Sequence, residues 1–88
     1  MKVQFTGDAW RDYAVWREQE PQYLDRVHAL IEACRRDPFR GIGKPEPLKR
    51  EFSGYWSRRI TGEHRLIYRV SGSALSQILE IMQCRDHY

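Results

Sequence analysis

The sequence predicts a single α+β domain over residues 1–88: an N-terminal strand, a two-helix hairpin, then an antiparallel sheet with both helices packed on one face. Three observations predict it. Apolar residues recur at helical spacing between residues 10 and 34. They alternate at strand spacing in the later half, most clearly between residues 64 and 70. Between the two regimes lies a stretch, 38–47, that holds Pro38, Gly41, Gly43, Pro45 and Pro47 and belongs to neither.

Each element follows in turn. Val3 and Phe5 alternate with polar neighbours, as in a short opening strand. Thr6-Gly7-Asp8 supplies a cap and an early acid, and Trp10, Tyr13, Ala14 and Arg17 follow at helical spacing. Glu20-Pro21 ends that helix and starts another with proline in its first turn. Tyr23, Leu24, Val27, Leu30, Ile31 and Cys34 form one apolar stripe along the second helix. Arg35-Arg36 suit its C-terminal dipole, and Asp37-Pro38 stops it. The loop 38–47 is stiff, so a charged residue within it, such as Glu46, is positioned with little entropy left to lose. Lys49 to Phe52 and Tyr55 to Ile60 read as strand segments broken at Ser53-Gly54. Thr61-Gly62-Glu63 is a turn, after which His64, Leu66, Tyr68 and Val70 alternate with Arg65, Ile67 and Arg69 as a strand with one apolar face. Ser71-Gly72-Ser73 turns the chain into a last segment, 75–85, carrying Ile78, Leu79, Ile81 and Met82.

Size and composition exclude several classes of protein. At 88 residues, the chain buries only about 60–65% of the surface its unfolded form exposes. It cannot enclose a cofactor as well as a core, so no cofactor is expected and any active site is a surface groove. With 41% hydrophobic and 31% charged residues the chain is not disordered. Its apolar runs are too short for a membrane span or a secretory signal, which predicts a cytoplasmic protein with no membrane partner. Cys34 and Cys84 stand in apolar stretches and outside any metal-spaced pair, and read as core residues.

Charge is distributed unevenly. Residues 1–43 are balanced, whereas residues 44–69 hold seven basic side chains against three acidic ones. A basic stripe in one segment is the footprint of a polyanion partner, although a solvated arginine-rich sheet face gives the same count. Breaking RNA without metal needs a base for the 2′-OH, cations for the phosphorane and an acid for the leaving 5′-oxygen. The sequence offers Glu46 in the stiff loop, Arg59 and Arg65 on neighbouring strands, His64 and His87, and a terminal Tyr88. No Asp, Glu or His group has the spacing of a divalent-metal site. Each residue also has a structural reading: Glu46 as an exposed loop acid, Arg65 paired with Glu63 or Glu51, and His64 as a structural histidine. His87 and Tyr88 fit a frayed terminus, and Tyr55, Trp56 and Tyr68 fit the core.

Four segments taken together carry more. Gly43-Lys44-Pro45-Glu46-Pro47-Leu48-Lys49, Ser53 to Ile60, Glu63 to Tyr68 and Cys84-Arg85-Asp86-His87-Tyr88 resemble the YoeB toxins, a branch of the RelE/ParE group of bacterial type II toxin–antitoxin systems. The early tryptophan, the helix pair and Arg35-Arg36-Asp37-Pro38-Phe39 fit as well, so the resemblance spans nearly the whole chain. It implies a microbial-RNase-like RelE fold. It also implies a metal-independent endoribonuclease that enters the ribosomal A site and cuts the mRNA codon there by 2′-OH attack, inhibiting translation. By the same resemblance Glu46 is the general base, Arg65 the phosphorane-stabilising arginine with Arg59 beside it, and His87 the general acid. Tyr88 shapes the substrate, and Lys44 and Lys49 contact RNA. The implied partners are the ribosome, mRNA, a YefM/Phd-type antitoxin, a second copy in a homodimer, and operator DNA only through the antitoxin complex. If the tail curls, the Asp86 carboxylate reaches His87 and favours its acid form. The alternatives are a gyrase-targeting toxin on the same fold and a non-catalytic nucleic-acid-binding or antitoxin-partner module.

Overall fold

The fold is that of a computed structural model, which describes residues 1–86. Strand β1 (Lys2–Phe5) is followed by helices α1 (Gly7–Gln19) and α2 (Pro21–Arg36), then strands β2 (Glu46–Pro47), β3 (Trp56–Arg59), β4 (Arg65–Ser71) and β5 (Ile78–Gln83). The Thr6 hydroxyl accepts the Ala9 N–H and caps α1. Glu20 alone separates the helices, and Pro21 opens α2. Tyr13 bonds His28 and Trp16 meets Tyr23 edge-on, so the pair runs antiparallel.

The strands lie in the order β1-β5-β4-β3-β2. The sheet is mixed, not wholly antiparallel: β2 to β5 pair antiparallel, but β1 lies parallel to β5, because the helix hairpin carries the chain from the β1 edge to the opposite edge of the sheet. Both helices cover one face. Ala9 and Trp16 from α1 and Val27, Leu30, Ile31 and Cys34 from α2 pack against Leu66, Tyr68, Leu79, Ile81 and Cys84. The α2 stripe is the one its spacing predicts. On α1 the buried positions are Ala9 and Trp16, whereas Trp10 is 56% exposed and stacks on Tyr13.

Two segments differ from the sequence reading. Lys49 to Phe52 is not a strand: Arg50–Phe52 forms a 3-10 turn entered through Arg50 at φ 59°, and the strand that pairs with β3 is the shorter β2 within the proline-rich loop. The last strand occupies only Ile78–Gln83 of the segment 75–85. It carries a bulge in which Met82 is the extra residue opposite the Ile67–Tyr68 step.

Arg58 is completely buried. Its parity on β3 matches Trp56 and the buried Ile60, so the pleat directs it into the core. There Nε donates to the Tyr68 hydroxyl, Nη1 to the Ile42 carbonyl, and Nη2 to the carbonyls of Asp37 and Arg40. The Tyr68 hydroxyl in turn donates to the Pro38 carbonyl, and burial pushes this phenol well above its ordinary value, so it keeps the proton it donates. The loop 37–43 is thus wrapped around one guanidinium. Gly43, at φ 84°, lies so close that a β-carbon there would stand 2.6 Å from Leu30 Cδ2. Replacing Arg58 with methionine removes the donors it supplies to three inward carbonyls and to the Tyr68 oxygen, and should destabilise the fold by about 3 kcal/mol or more in urea unfolding. Arg58→Lys should recover little, since one ammonium cannot reproduce the planar fork; wild-type stability in either variant would refute this account.

Candidate active site

The sheet face away from the helices is open, and the register decides what stands on it. Glu46 on β2 pairs with Ser57 on β3, which pairs with Ile67 on β4, which pairs with Gln83 on β5. Directly paired residues share a face, so these four form a row across the open side. Two residues along, Arg59 pairs directly with Arg65. Strand spacing of about 4.8 Å and a rise of about 3.4 Å per residue put the Cα of Glu46 about 8 Å from that of Arg59 and about 12 Å from that of Arg65. One phosphodiester can therefore meet all three side chains.

Like charges placed directly opposite on neighbouring strands are destabilising unless something negative lies over them. Arg65 is half-buried and steadied by its own turn: Nη1 donates to the carbonyls of Thr61, Gly62 and His64 at 2.9, 3.1 and 3.2 Å. Its partners are therefore carbonyls and not Glu63 or Glu51. Among the described residues only this one nitrogen of the guanidinium is engaged. Glu46, Lys44, Lys49 and Arg59 are exposed, and their side chains form no hydrogen bond or ion pair among the described residues. Lys44 stands at φ 52° beside Gly43, and the Arg59 N–H donates to the Gly43 carbonyl at 2.7 Å, so the loop bearing Lys44 and Glu46 is tied to β3 at its root. Arg58, counted with the basic stripe by sequence, belongs to the core and contributes nothing to this surface.

Two depressions open beside these residues. One, of about 360 Å³, is lined by residues 46–52. The other, of about 230 Å³, lies on the open face and is lined by Phe52, Tyr55, Ile67, Met82 and Gln83. The strand β4 has the one apolar face expected, with Leu66 and Tyr68 toward the helices, but Ile67 on its other face is also buried, beneath the second depression. This apolar floor escaped the sequence reading, although the Ile67 and Met82 side chains were visible at outward parity.

Beyond β5 the backbone is held by side chains. The Cys84 N–H donates to Asp12 Oδ2 at 3.1 Å, and the Cys84 carbonyl accepts Trp16 Nε1–H at 2.6 Å. The Asp86 N–H donates to His64 Nδ1 at 2.9 Å, and its carbonyl accepts the Arg65 N–H at 3.1 Å. Asp86 has left the strand, with φ 62°. His87 and Tyr88, two of the expected catalytic residues, lie outside the described residues, and so does any contact between Asp86 and His87. Within the described residues the Asp86 carboxylate stands 3.7 Å from His64 Nδ1. Both cysteines are buried free thiols, as their apolar settings predict.

Known proteins resemble this chain over its whole length. Residues 5–88 match the family model of the YoeB-like toxin of bacterial type II toxin–antitoxin systems. The Toxin YoeB of Synechocystis sp. is 50% identical over 88 residues, covering 100% of this chain and 98% of that protein. The solved YoeB/ParE toxin from Agrobacterium tumefaciens superposes with a TM-score of 0.98 at 51% identity, over 100% of both chains. YoeB from Staphylococcus aureus, 34% identical over 100% of this chain and 98% of that one, is solved as a dimer (TM-score 0.89) and in a heterotetramer with YefM (TM-score 0.87).

Burial, with the Asp12 carboxylate nearby, pushes the Cys84 thiol from 9.0 up to about 12. The folded protein keeps a proton there that the unfolded chain releases near pH 9, so this site's contribution to stability falls as pH rises from about 9 to 12. Burial raises Cys34 as well. A disulfide-exchange reagent at pH 8 should therefore leave both thiols unmodified until denaturant is added; one fast-reacting thiol in the native protein would contradict this.

Proposed function

Because this chain belongs to the YoeB-like toxins of bacterial type II toxin–antitoxin systems, we propose that it is a ribosome-dependent mRNA endoribonuclease that cuts the codon in the A site. The observation that carries this reading is the directly opposed pair Arg59–Arg65 on the open sheet face, with Glu46 one strand further over. Two facing cations mark a place for a phosphate, and a carboxylate beside them supplies a base.

In the proposed step Glu46 takes the 2′-OH proton as O2′ attacks the adjacent phosphorus. Arg65 and Arg59 hold the non-bridging oxygens while the bond from phosphorus to O5′ breaks. His87 gives its proton to O5′, leaving a 2′,3′-cyclic phosphate and a free 5′-hydroxyl. Tyr88 shapes the substrate around the leaving group, and Lys44 and Lys49 draw in the strand on either side of Glu46. The chemistry requires no cofactor and no metal. So open a groove does little to orient a flexible RNA, and the ribosome supplies that orientation, worth several kcal/mol.

The same reading gives the protein a YefM/Phd-type antitoxin as its partner, a homodimer as a further assembly, and operator DNA only through the antitoxin complex. It acts where translation occurs, in the cytoplasm, and among the described residues no helix is long and apolar enough to cross a membrane.

Primer extension on mRNA held in ribosomes with a vacant A site tests this, with free mRNA as control. Wild-type protein should cut the A-site codon only on the ribosome. Glu46→Ala should lower the rate roughly 10²–10⁴-fold and Arg65→Ala roughly 10²–10³-fold. No cut by folded wild-type protein would overturn the activity in favour of gyrase inhibition or a non-catalytic module. Cuts that persist in Glu46→Ala would overturn the base.

A further inference from the structure

A backbone N–H only donates, so the 2.9 Å contact from the Asp86 amide requires a lone pair on His64 Nδ1. In this contact Nδ1 is the acceptor, which assigns the ring proton to Nε2. The ring is held for this task. It packs edge-on to Trp16 with centroids 4.6 Å apart and lies 6.0 Å from Tyr23, and its backbone N–H is fixed by the Thr61 hydroxyl. The His64 side chain is 16% exposed, whereas the Asp86 side chain is 73% exposed. The tail is thus gripped by its peptide and not by its carboxylate. Asp86 holds a left-handed conformation, φ 62°, that costs a non-glycine residue of this kind free energy unless its surroundings enforce it. His64 and Arg65, adjacent in sequence, provide that enforcement by taking both polar groups of one residue.

We propose that His64 is a positioning residue for catalysis: its Nδ1 lone pair fixes the Asp86 peptide, to which His87 is joined directly in the chain. This rests on His87 being the acid of the proposed cleavage. The Asp86 carbonyl is bonded to the backbone of Arg65, so the clamp registers the acid-bearing tail against the residue that holds the phosphate. Asp12 and Trp16 fix the preceding turn of the tail, and His64 makes the last side-chain contact before His87. The recognised group is a peptide N–H, so the function needs a hydrogen-bond acceptor at this position and not an imidazole as such.

Two substitutions separate those requirements. His64→Asn keeps an acceptor oxygen near the place of Nδ1; His64→Leu fills similar space without one. Single-turnover cleavage at saturating toxin, on mRNA in ribosomes with a vacant A site, is measured for wild type, both variants and His87→Ala. The expected result is a roughly 10–100-fold loss of maximal rate in His64→Leu with the half-saturating concentration unchanged, and recovery of most of that loss in His64→Asn. Amide exchange at Asp86, read by NMR, should be slow in wild type and His64→Asn and fast in His64→Leu. The wild-type His64 ring should show the Nε2–H tautomer in nitrogen-15 spectra. A wild-type rate in His64→Leu, equal losses in both folded variants, or an Nδ1–H tautomer would overturn the proposal. Should His64→Leu fail to fold, the tautomer and the His64→Asn rate still decide. If wild type does not cut at all, the cleavage reading fails and the positioning role with it, while Asp86 exchange reports separately on the clamp. Full activity in His87→Ala would likewise remove the role for which the clamp is proposed.

Discussion

The bonds of Arg58 govern how the rest of the molecule is arranged. A guanidinium taken wholly out of water is costly, and among the described residues no carboxylate forms an ion pair with it. The charge is instead solvated by carbonyl oxygens of Asp37, Arg40 and Ile42 and by the phenol of Tyr68. A segment that lacks regular backbone pairing thereby finds partners for its inward oxygens, and the arginine finds a substitute for water. Because the loop 37–43 is closed in this way, the next residues leave it in a fixed direction, and Glu46 reaches the sheet in register with Ser57.

The sheet divides stability from chemistry. On the covered face, aliphatic and aromatic side chains pack against two helices. On the open face, the charged side chains stand beside an apolar depression floored by Ile67. The alternation of the strand carries out this division one residue at a time. Arg58 and Arg59 are adjacent and chemically identical, yet one is a buried brace and the other an exposed phosphate ligand in the proposed reaction. Substitutions of the exposed Glu46 and Arg59 therefore alter surface charge without opening the core.

How far this was legible in the sequence differs by element. Helix α2 was plain, because a stripe from Val27 to Cys34 leaves one face to bury. The Thr6 cap and the break at Pro21 were equally local. The site residues Glu46, Arg59 and Arg65 came from chemistry and resemblance, and the strand register supplies a common face for them that spacing alone did not give. The parallel placement of β1 was not legible, since it depends on where the helix pair delivers the chain. Lys49 to Phe52 has the look of a strand, but Arg50 adopts a left-handed conformation that closes a tight turn. Arg58 was misread with the charges, although Trp56 and Ile60 share its parity and both face inward. The hold on the tail by Asp12, Trp16 and His64 joins residues more than twenty positions apart, and no local pattern announces such contacts.

The parallel pairing of β1 with β5 has a consequence for how the protein comes into being. More than seventy residues separate the partners Lys2 and Ile78, and the contacts of Thr6, Asp12 and Trp16 with residues 82–84 span a similar distance. Non-local pairing of this kind forms late, because the loop must close before any contact rewards it. During synthesis β1, α1 and α2 emerge first, yet β5, which lies between β1 and β4, is still unmade. A nascent chain can assemble the helix hairpin but cannot complete the sheet. The covered face finds its full lining, and the open face its floor, only once residues near 83 have been translated. The fold therefore defers its own maturation until β5 has been made.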